Sequence, residues 1–502
     1  MSTSLRAASP LVTLAAVGLA AGAACSTQRG DPSVFDVDTD AGASDSGPGG
    51  GSMPHDADDD GDADADGGDG PKLDVAPGDS ADGGDEGGPS ECPPAPPQDA
   101  TLTGVVVGPS GELPISGAVV WVQADAPEGI PDHVYCEACV EIPCDVHHTI
   151  TGADGSFALE VPPGDYHFVV RKGHFMRSTP MHVADGMTAL TGDPTRLPDH
   201  RDPASGQWIP NIALAWGDYD ALQDALAKLG LGELSPDGHE LDPGTESFDV
   251  YDNQQDNVGY EGQNPITTDV VDDFTALVSD PVEMAKYHVI FVPCSHAPQL
   301  GADQIDNIRE WVAAGGRWYV ADWSLEWLES PFAQYQDWWE DGFTGGPYLD
   351  SFDTTGHVRD DGLAAWLAAL PPALADINPQ NPGNGGHPTL ADLPDVGLVD
   401  LWSTIRDAPP VLVDDGNGGQ VDVGHKRWLD GPGDGEDGAP ADADWPLTVT
   451  AQYGCGKLMF TSYHTVEWEK YAGLTPQELV LMYLVIEIGT CHPPFDPPPP
   501  AG

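Results

Sequence analysis

Positive charge is scarce in this chain: 18 lysines and arginines stand against 83 aspartates and glutamates, a formal net charge of -65. Such a surface repels phosphate backbones, so no nucleic-acid partner is expected. Long apolar runs are also missing beyond the first residues. The longest, "LVLMYLVIEIG" from Leu479, is too short to span a bilayer and carries Glu487. Cysteine is rare, with eight in 502 residues. Neither Ser324 nor Ser462 stands in a G-x-S-x-G turn, which removes the usual serine elbow.

What is present is strongly segmented. "MSTSLRAASPLVTLAAVGLAAGAAC" has one early base, Arg6, an apolar stretch from Leu11 to Ala21 and small residues before Cys25. That pattern reads as a secretory signal over residues 1–25. Small residues followed by Cys25 resemble a bacterial lipoprotein signal, which implies lipidation of Cys25 and a membrane held through that lipid. The expected address is an outer-membrane or cell-surface lipoprotein, with a periplasmic or freely secreted protein, cleaved after Ala23, as the alternatives.

Residues 26–98 form an acidic Asp/Gly/Pro linker, and about nineteen acids face two bases between 26 and 91. Asp56, Asp58, Asp60 and Gly61 match the start of an EF-hand loop, but Gly67 occupies the place of its bidentate glutamate. An extended, self-repelling, disordered spacer is the simpler expectation. Residues 491–502 are a proline-rich tail.

From Thr101 short valine- and aromatic-rich runs alternate with turns: "ATLTGVVVG", "ISGAVVWVQA", "GSFALEVP" and "DYHFVVRKG". They predict an antiparallel β-sandwich over residues 99–195. The stretches "TGVVVGPSG…PISGAVVWV" and "TGADGSFALEVPPGDYHFVVRKGHF" resemble the carboxypeptidase regulatory-like, or prealbumin-like, domain, which implies a non-catalytic spacer or binding module. Within it, "CEACVEIPCDVHH" offers Cys136, Cys139, Cys144 and His147 as four zinc ligands at C-x2-C-x4-C-x2-H spacing. Expected export favours a disulfide instead, with Cys136 and Cys139 as its first candidates.

From residue 205 to 490 strands alternate with helices, which predicts an α/β doubly wound parallel sheet, interrupted by an insertion at about 330–445. The strands are "NIALAWG", "SFDVYDN", "YHVIFVPCS" and "RWYVADWS", and "LTVTAQYGCGKLMFTSYH" reads as a hairpin. The whole chain is thus multidomain, a sandwich and an α/β unit after a linker.

"VIFVPCSH", "IREWVAAGGRWYVADWS" and "GKLMFTSYHTVE" resemble the class I glutamine amidotransferase-like fold and its trehalose-utilisation-like relatives. The resemblance implies that "YVADWS" leads to the nucleophile elbow and that His464 stands where the catalytic histidine does. The elbow cysteine is absent, and Asp322-Trp323-Ser324 takes its place. Glu467 lies three residues past His464, where the family has glutamate two residues on.

The strand ends gather Asp218, Asp220, Cys294, His296, Asp322, Trp323, His464 and Glu467 as candidate site residues. Asp218, His296, Asp322, Trp323 and His464 are the expected ligand-binding set. His464, Glu467, Cys294 and Asp322 are the candidates for catalysis. Trp323, Trp327, Trp338 and Trp339 suit either packing or a sugar platform, and their irregular spacing favours packing.

The expected function is non-catalytic binding, of carbohydrate or cell-wall material, without a cofactor. Two alternatives stay open: a hydrolase or amidase-like enzyme using Cys294 or a metal with His464, and a structural display or assembly protein.

Overall fold

The computed structural model describes residues 98–137, 146–254, 264–295, 298–339, 352–375, 390–416, 418–433, 439–464, 473–489 and 495–498. The expected signal, linker and proline tail lie outside them, apart from Gln98 and residues 495–498.

The N-terminal unit is built from β1 (Ala100–Val105), β2 (Val119–Gln123), β3 (His148–Ile150), β4 (Ser156–Val161), β5 (Gly164–Lys172), β6 (Phe175–Val183), β7 (Gly186–Ala189) and β8 (Gln207–Trp208). Strict alternation in β4 turns Phe157, Leu159 and Val161 inward and Ser156, Ala158 and Glu160 to solvent. Those side chains and Leu102 of β1 meet Val120, Val122, Phe168 and Val170 of the facing sheet. The two sheets run β4-β1-β7 and β3-β2-β5-β6-β8. The purely antiparallel expectation needs one correction, because β7 joins β1 in parallel. Residues 164–183 fold back as a β5–β6 hairpin, so β7 returns in the direction of β1.

The second unit carries β9 (Ile212–Trp216), α1 (Leu222–Leu226), β10 (Asp249–Asp252), α2 (Phe274–Ser279), α3 (Pro281–Met284), β11 (Val289–Val292), α4 (Ala302–Ala313), β12 (Arg317–Ala321) and α5 (Glu326–Phe332). There follow β13 (Asp337–Trp338), β14 (Phe352–Val358), α6 (Asp361–Ala369), α7 (Pro372–Ala375), β15 (Asp395–Leu401), β16 (Ile405–Asp407), β17 (Leu412–Asp414) and β18 (Gln420–Asp422). The last elements are β19 (Lys426–Pro432), β20 (Asp444–Tyr453), β21 (Gly456–Thr461) and α8 (Pro476–Glu487).

One nine-stranded mixed sheet, ordered β10-β9-β11-β12-β21-β20-β19-β14-β15, organises the unit. The first five strands of that order are parallel, and the rest pair antiparallel. β9, β11 and β12 are buried along their whole length, as their continuous apolar runs require. Leu214, Phe291, Tyr319 and Met459 face α1, α6 and α8, whereas Ala213, Ile290, Trp318 and Phe460 face α2, α4 and α5. The expected insertion is largely part of this sheet, since β14, β15 and β19 extend it.

The two units are joined covalently and by packing. Cys136, just after the sandwich strand β2 and its loop, forms a disulfide with Cys455 in the β20–β21 turn, 319 residues away. This corrects the expected Cys136–Cys139 pairing. It also removes Cys136 from the four-ligand zinc set, of which Cys139 and Cys144 lie outside the described residues. Trp366 Nε1 donates to the carbonyl of Pro114 at 2.7 Å. Beneath the disulfide sit buried His174 and His288, with ring centroids 4.8 Å apart, and a buried Lys172–Glu487 ion pair at 2.7 Å.

Candidate functional site

β12 ends at Ala321, the chain turns sharply through a single 3-10 turn at Asp322–Ser324, and α5 begins two residues later. Asp322 takes φ 49°, a left-handed conformation that non-glycine residues adopt at a cost. A strand, a strained residue and a helix form the geometry of a nucleophile elbow, here presenting a carboxylate. Ser324 pins this turn to the end of β11: its Oγ donates to the Pro293 carbonyl at 2.7 Å and accepts from the Ser295 amide at 2.9 Å. Cys294 therefore lies beside the elbow.

His464 follows β21, with its backbone carbonyl held by Gln477 Nε2 at 2.7 Å. Its Nδ1 meets Asp400 Oδ2 at 2.7 Å, and its Nε2 points at Asp322 Oδ2 from 3.4 Å. Asp400 comes from a bulge in β15, where the register slips between Leu398 and Leu401, and it too has a left-handed φ of 60°. Such a bulge re-aims a side chain that regular pleating would send elsewhere. Trp402 Nε1 donates to Asp400 Oδ1 at 3.0 Å, while the Trp402 amide and Ser403 Oγ both donate to Asp322 Oδ1 at 3.0 Å. Asp400 thus has both oxygens tied down, and Asp322 has one.

The remaining atoms converge. Cys294 Sγ, an Asp322 carboxylate oxygen and a His464 ring nitrogen lie within 4.8 Å of one another, and all three residues are buried. Asp322 Oδ2 and His464 Nε2 make no hydrogen bond. A buried polar atom left so costs about 1–3 kcal/mol. Burial pushes the Asp322 carboxyl well above the usual carboxylate range against the pull of His464, and Asp400 adds to the rise. Burial alone would lower His464, but Cys294 and then Asp400 outweigh it and hold the imidazole well above the ordinary histidine value.

Of the expected site residues, the structure brings together Cys294, Asp322 and His464, with Trp323 alongside. Trp323 is not an open platform: it is buried, packs with Tyr219 and Cys294, and stacks on Trp402 at 5.3 Å between centroids. Trp327 is fully buried, and Trp338 packs in the same core, 4.8 Å from Phe460. Asp218 is half-buried past the end of β9, next to Gly217, whose added Cβ would stand 2.9 Å from the Cys294 carbonyl oxygen. Buried Asp220 serves through its backbone, its carbonyl accepting from Asn264 Nδ2 at 3.0 Å. His296 and Glu467 lie outside the described residues.

One sequence-based reading holds and one changes. Cys294, expected among the strand-end candidates, lies with its thiol in the His464 cluster. The acid expected beside His464 was Glu467, three residues on, whereas the observed partner Asp400 arrives from the insertion together with Trp402 and Ser403. A signal existed: "VDLWS" (399–403) is a near copy of "VADWS" (320–324), an apolar strand running into aspartate, tryptophan and serine.

No family model matches the chain, and no curated protein does either. Among solved structures it is similar to a ThuA-like protein of Bacteroides uniformis ATCC 8492, at 12% identity, with 43% of this chain and 77% of that one covered. The TM-score is 0.25, too low to define a shared fold.

Proposed function

We propose that this chain is an exported, lipid-anchored envelope protein whose α/β unit is a doubly wound, amidotransferase-like frame without a thiol nucleophile, and that it works by binding. The observation that carries the reading is Asp322 at the elbow, left-handed and held by Trp402 and Ser403, where a glutaminase needs a cysteine. Cys294 does not replace it, because that thiol is fully buried just past the end of the neighbouring strand β11. The sandwich is the spacer and accessory module of this arrangement.

Carbohydrate or cell-wall material is the ligand class we assign. Half-exposed Trp339 and Trp445 meet edge to face at 4.8 Å, and the Arg406 guanidinium lies 6.0 Å from the Trp339 ring. Such amphipathic rings suit the apolar faces of pyranoses better than the buried Trp323 does.

Two measurements test this. Glutamine and simple amides should not be hydrolysed, and iodoacetamide should leave Cys294 unmodified until the protein is denatured. Retention on insoluble polysaccharide or cell-wall sacculi should fall at least tenfold in Trp339→Ala/Trp445→Ala. Thiol-dependent amide hydrolysis, blocked by native alkylation of Cys294, would reverse the reading.

A further inference from the structure

Two side chains of the elbow cluster, His464 and Asp322, are held at one end and open at the other. His464 has its Nδ1 fixed by Asp400 at 2.7 Å, which leaves Nε2 facing inward. Asp322 has Oδ1 fixed by the Trp402 amide and Ser403 Oγ at 3.0 Å each, which leaves Oδ2 facing inward. Both inward atoms are buried and make no hydrogen bond. Their separation of 3.4 Å is long for a charge-assisted hydrogen bond.

That separation fits another purpose. A tetrahedral zinc ion with bonds of about 2.0–2.1 Å to nitrogen and oxygen needs an edge of roughly 3.3–3.4 Å between those two ligands. Cys294 Sγ completes the triangle, all three ligand atoms lying within 4.8 Å of one another. With a zinc–sulfur bond of about 2.3 Å, the sulfur edges need close by only about an ångström. The Asp400–His464 contact reproduces the carboxylate–imidazole pair that sets tautomer and basicity in metal-bound histidines.

We infer that Cys294, Asp322 and His464 form a mononuclear divalent-metal site, best suited to Zn2+, with Asp400 as the positioning residue behind His464. The donor set of one thiolate, one imidazole and one carboxylate selects a borderline-soft ion over calcium or magnesium. Three protein ligands leave a fourth position for water or for an oxygen of the bound molecule. The cation also compensates a cluster that otherwise gathers two carboxylates and a thiol around one imidazole. The inference rests on the elbow carrying no working thiol nucleophile. It does not depend on which polysaccharide is retained.

The test is metal content of the full chain, purified, stripped with chelator and refilled with Zn2+ or Co2+. One tightly held Zn2+ per chain is expected, and Co2+ should give a thiolate-to-metal charge-transfer band. Cys294→Ser should abolish that band and weaken Zn2+ binding at least tenfold, and Asp400→Asn should weaken it about 10–100-fold. Circular dichroism and denaturant midpoints of the stripped proteins establish that each variant folds. Should Cys294→Ser fail to fold, the wild-type spectrum decides, since Co2+ bound without a thiolate band overturns the inference. A band that persists in folded Cys294→Ser, arising from Cys139 and Cys144, overturns it too. Polysaccharide retention is scored separately, so a metal-free protein that still binds sacculi refutes only the metal.

Discussion

At the scale of single residues, burial decides which protonation states the fold tolerates. His288 is almost wholly buried, and its Nδ1 accepts the Asn211 amide at 2.8 Å, which requires a neutral ring. Burial, then His174 and the arginines Arg201 and Arg317, push its pKa down to about 2. A depressed histidine is stabilising above its unfolded pKa, near 6.5, and that stability is lost as pH falls below it. Between pH 6 and pH 4 this ring alone should steepen the loss by about 1.4 kcal/mol per pH unit. Urea unfolding at several pH values, compared with His288→Asn, checks it: the variant should show the shallower slope. An unchanged slope would mean that His288 keeps its proton in the fold.

At the scale of elements, close backbone approach matters more than side-chain chemistry. The β20–β21 turn lies on the C-terminal end of α4, where the Cys455 amide donates to the Ala313 carbonyl at 2.9 Å. A Cβ on Gly456 would stand 2.0 Å from the Val312 carbonyl oxygen and 2.4 Å from that of Gly316. Backbone on both sides cannot move aside, so Gly456→Ala should cost about 3 kcal/mol or more, read from denaturant midpoints. A shift below 1 kcal/mol would show that helix and hairpin slide apart freely.

The same scale shows what the sequence makes legible. β9, β11, β12 and the β20–β21 hairpin announce themselves as apolar runs bounded by turns. So does α8, whose N-terminus carries a Thr475–Glu478 capping box, with Glu478 Oε2 accepting the Thr475 amide at 2.7 Å. β14, β15 and β19 were hidden because they mix aspartate and glycine into short runs, and their pairing is non-local. The elbow was visible in position but not in conformation. The turn is made without a glycine, because hydrogen bonds from Trp402 and Ser403 hold a left-handed aspartate there. Asp400 was illegible as a partner of His464 because 64 residues separate them and only the sheet brings them together.

At the scale of the molecule, the sandwich and the α/β unit behave as one body. Trp366 bonds across the boundary, and Cys136–Cys455 closes a loop of 319 residues. Chain-entropy arguments give such a loop about 6 kcal/mol as a ceiling, with about 2–5 kcal/mol typical for a native disulfide. Cys455→Ser should therefore lower the unfolding free energy by about 2–5 kcal/mol and split one unfolding transition into two. A single transition at an unchanged midpoint would mean that packing alone holds the units together.

That crosslink also sets an order of events during synthesis. On the proposed export, a chain emerging from its N-terminus would deliver Cys136, Cys139 and Cys144 to an oxidising compartment long before Cys455 arrives. The nearest partners meet first, and thiol–disulfide exchange must then undo whatever they form. Maturation should consequently depend on a disulfide isomerase as well as an oxidant. A strain lacking isomerase would accumulate full-length protein in which the sandwich is locally crosslinked and the two units remain untied.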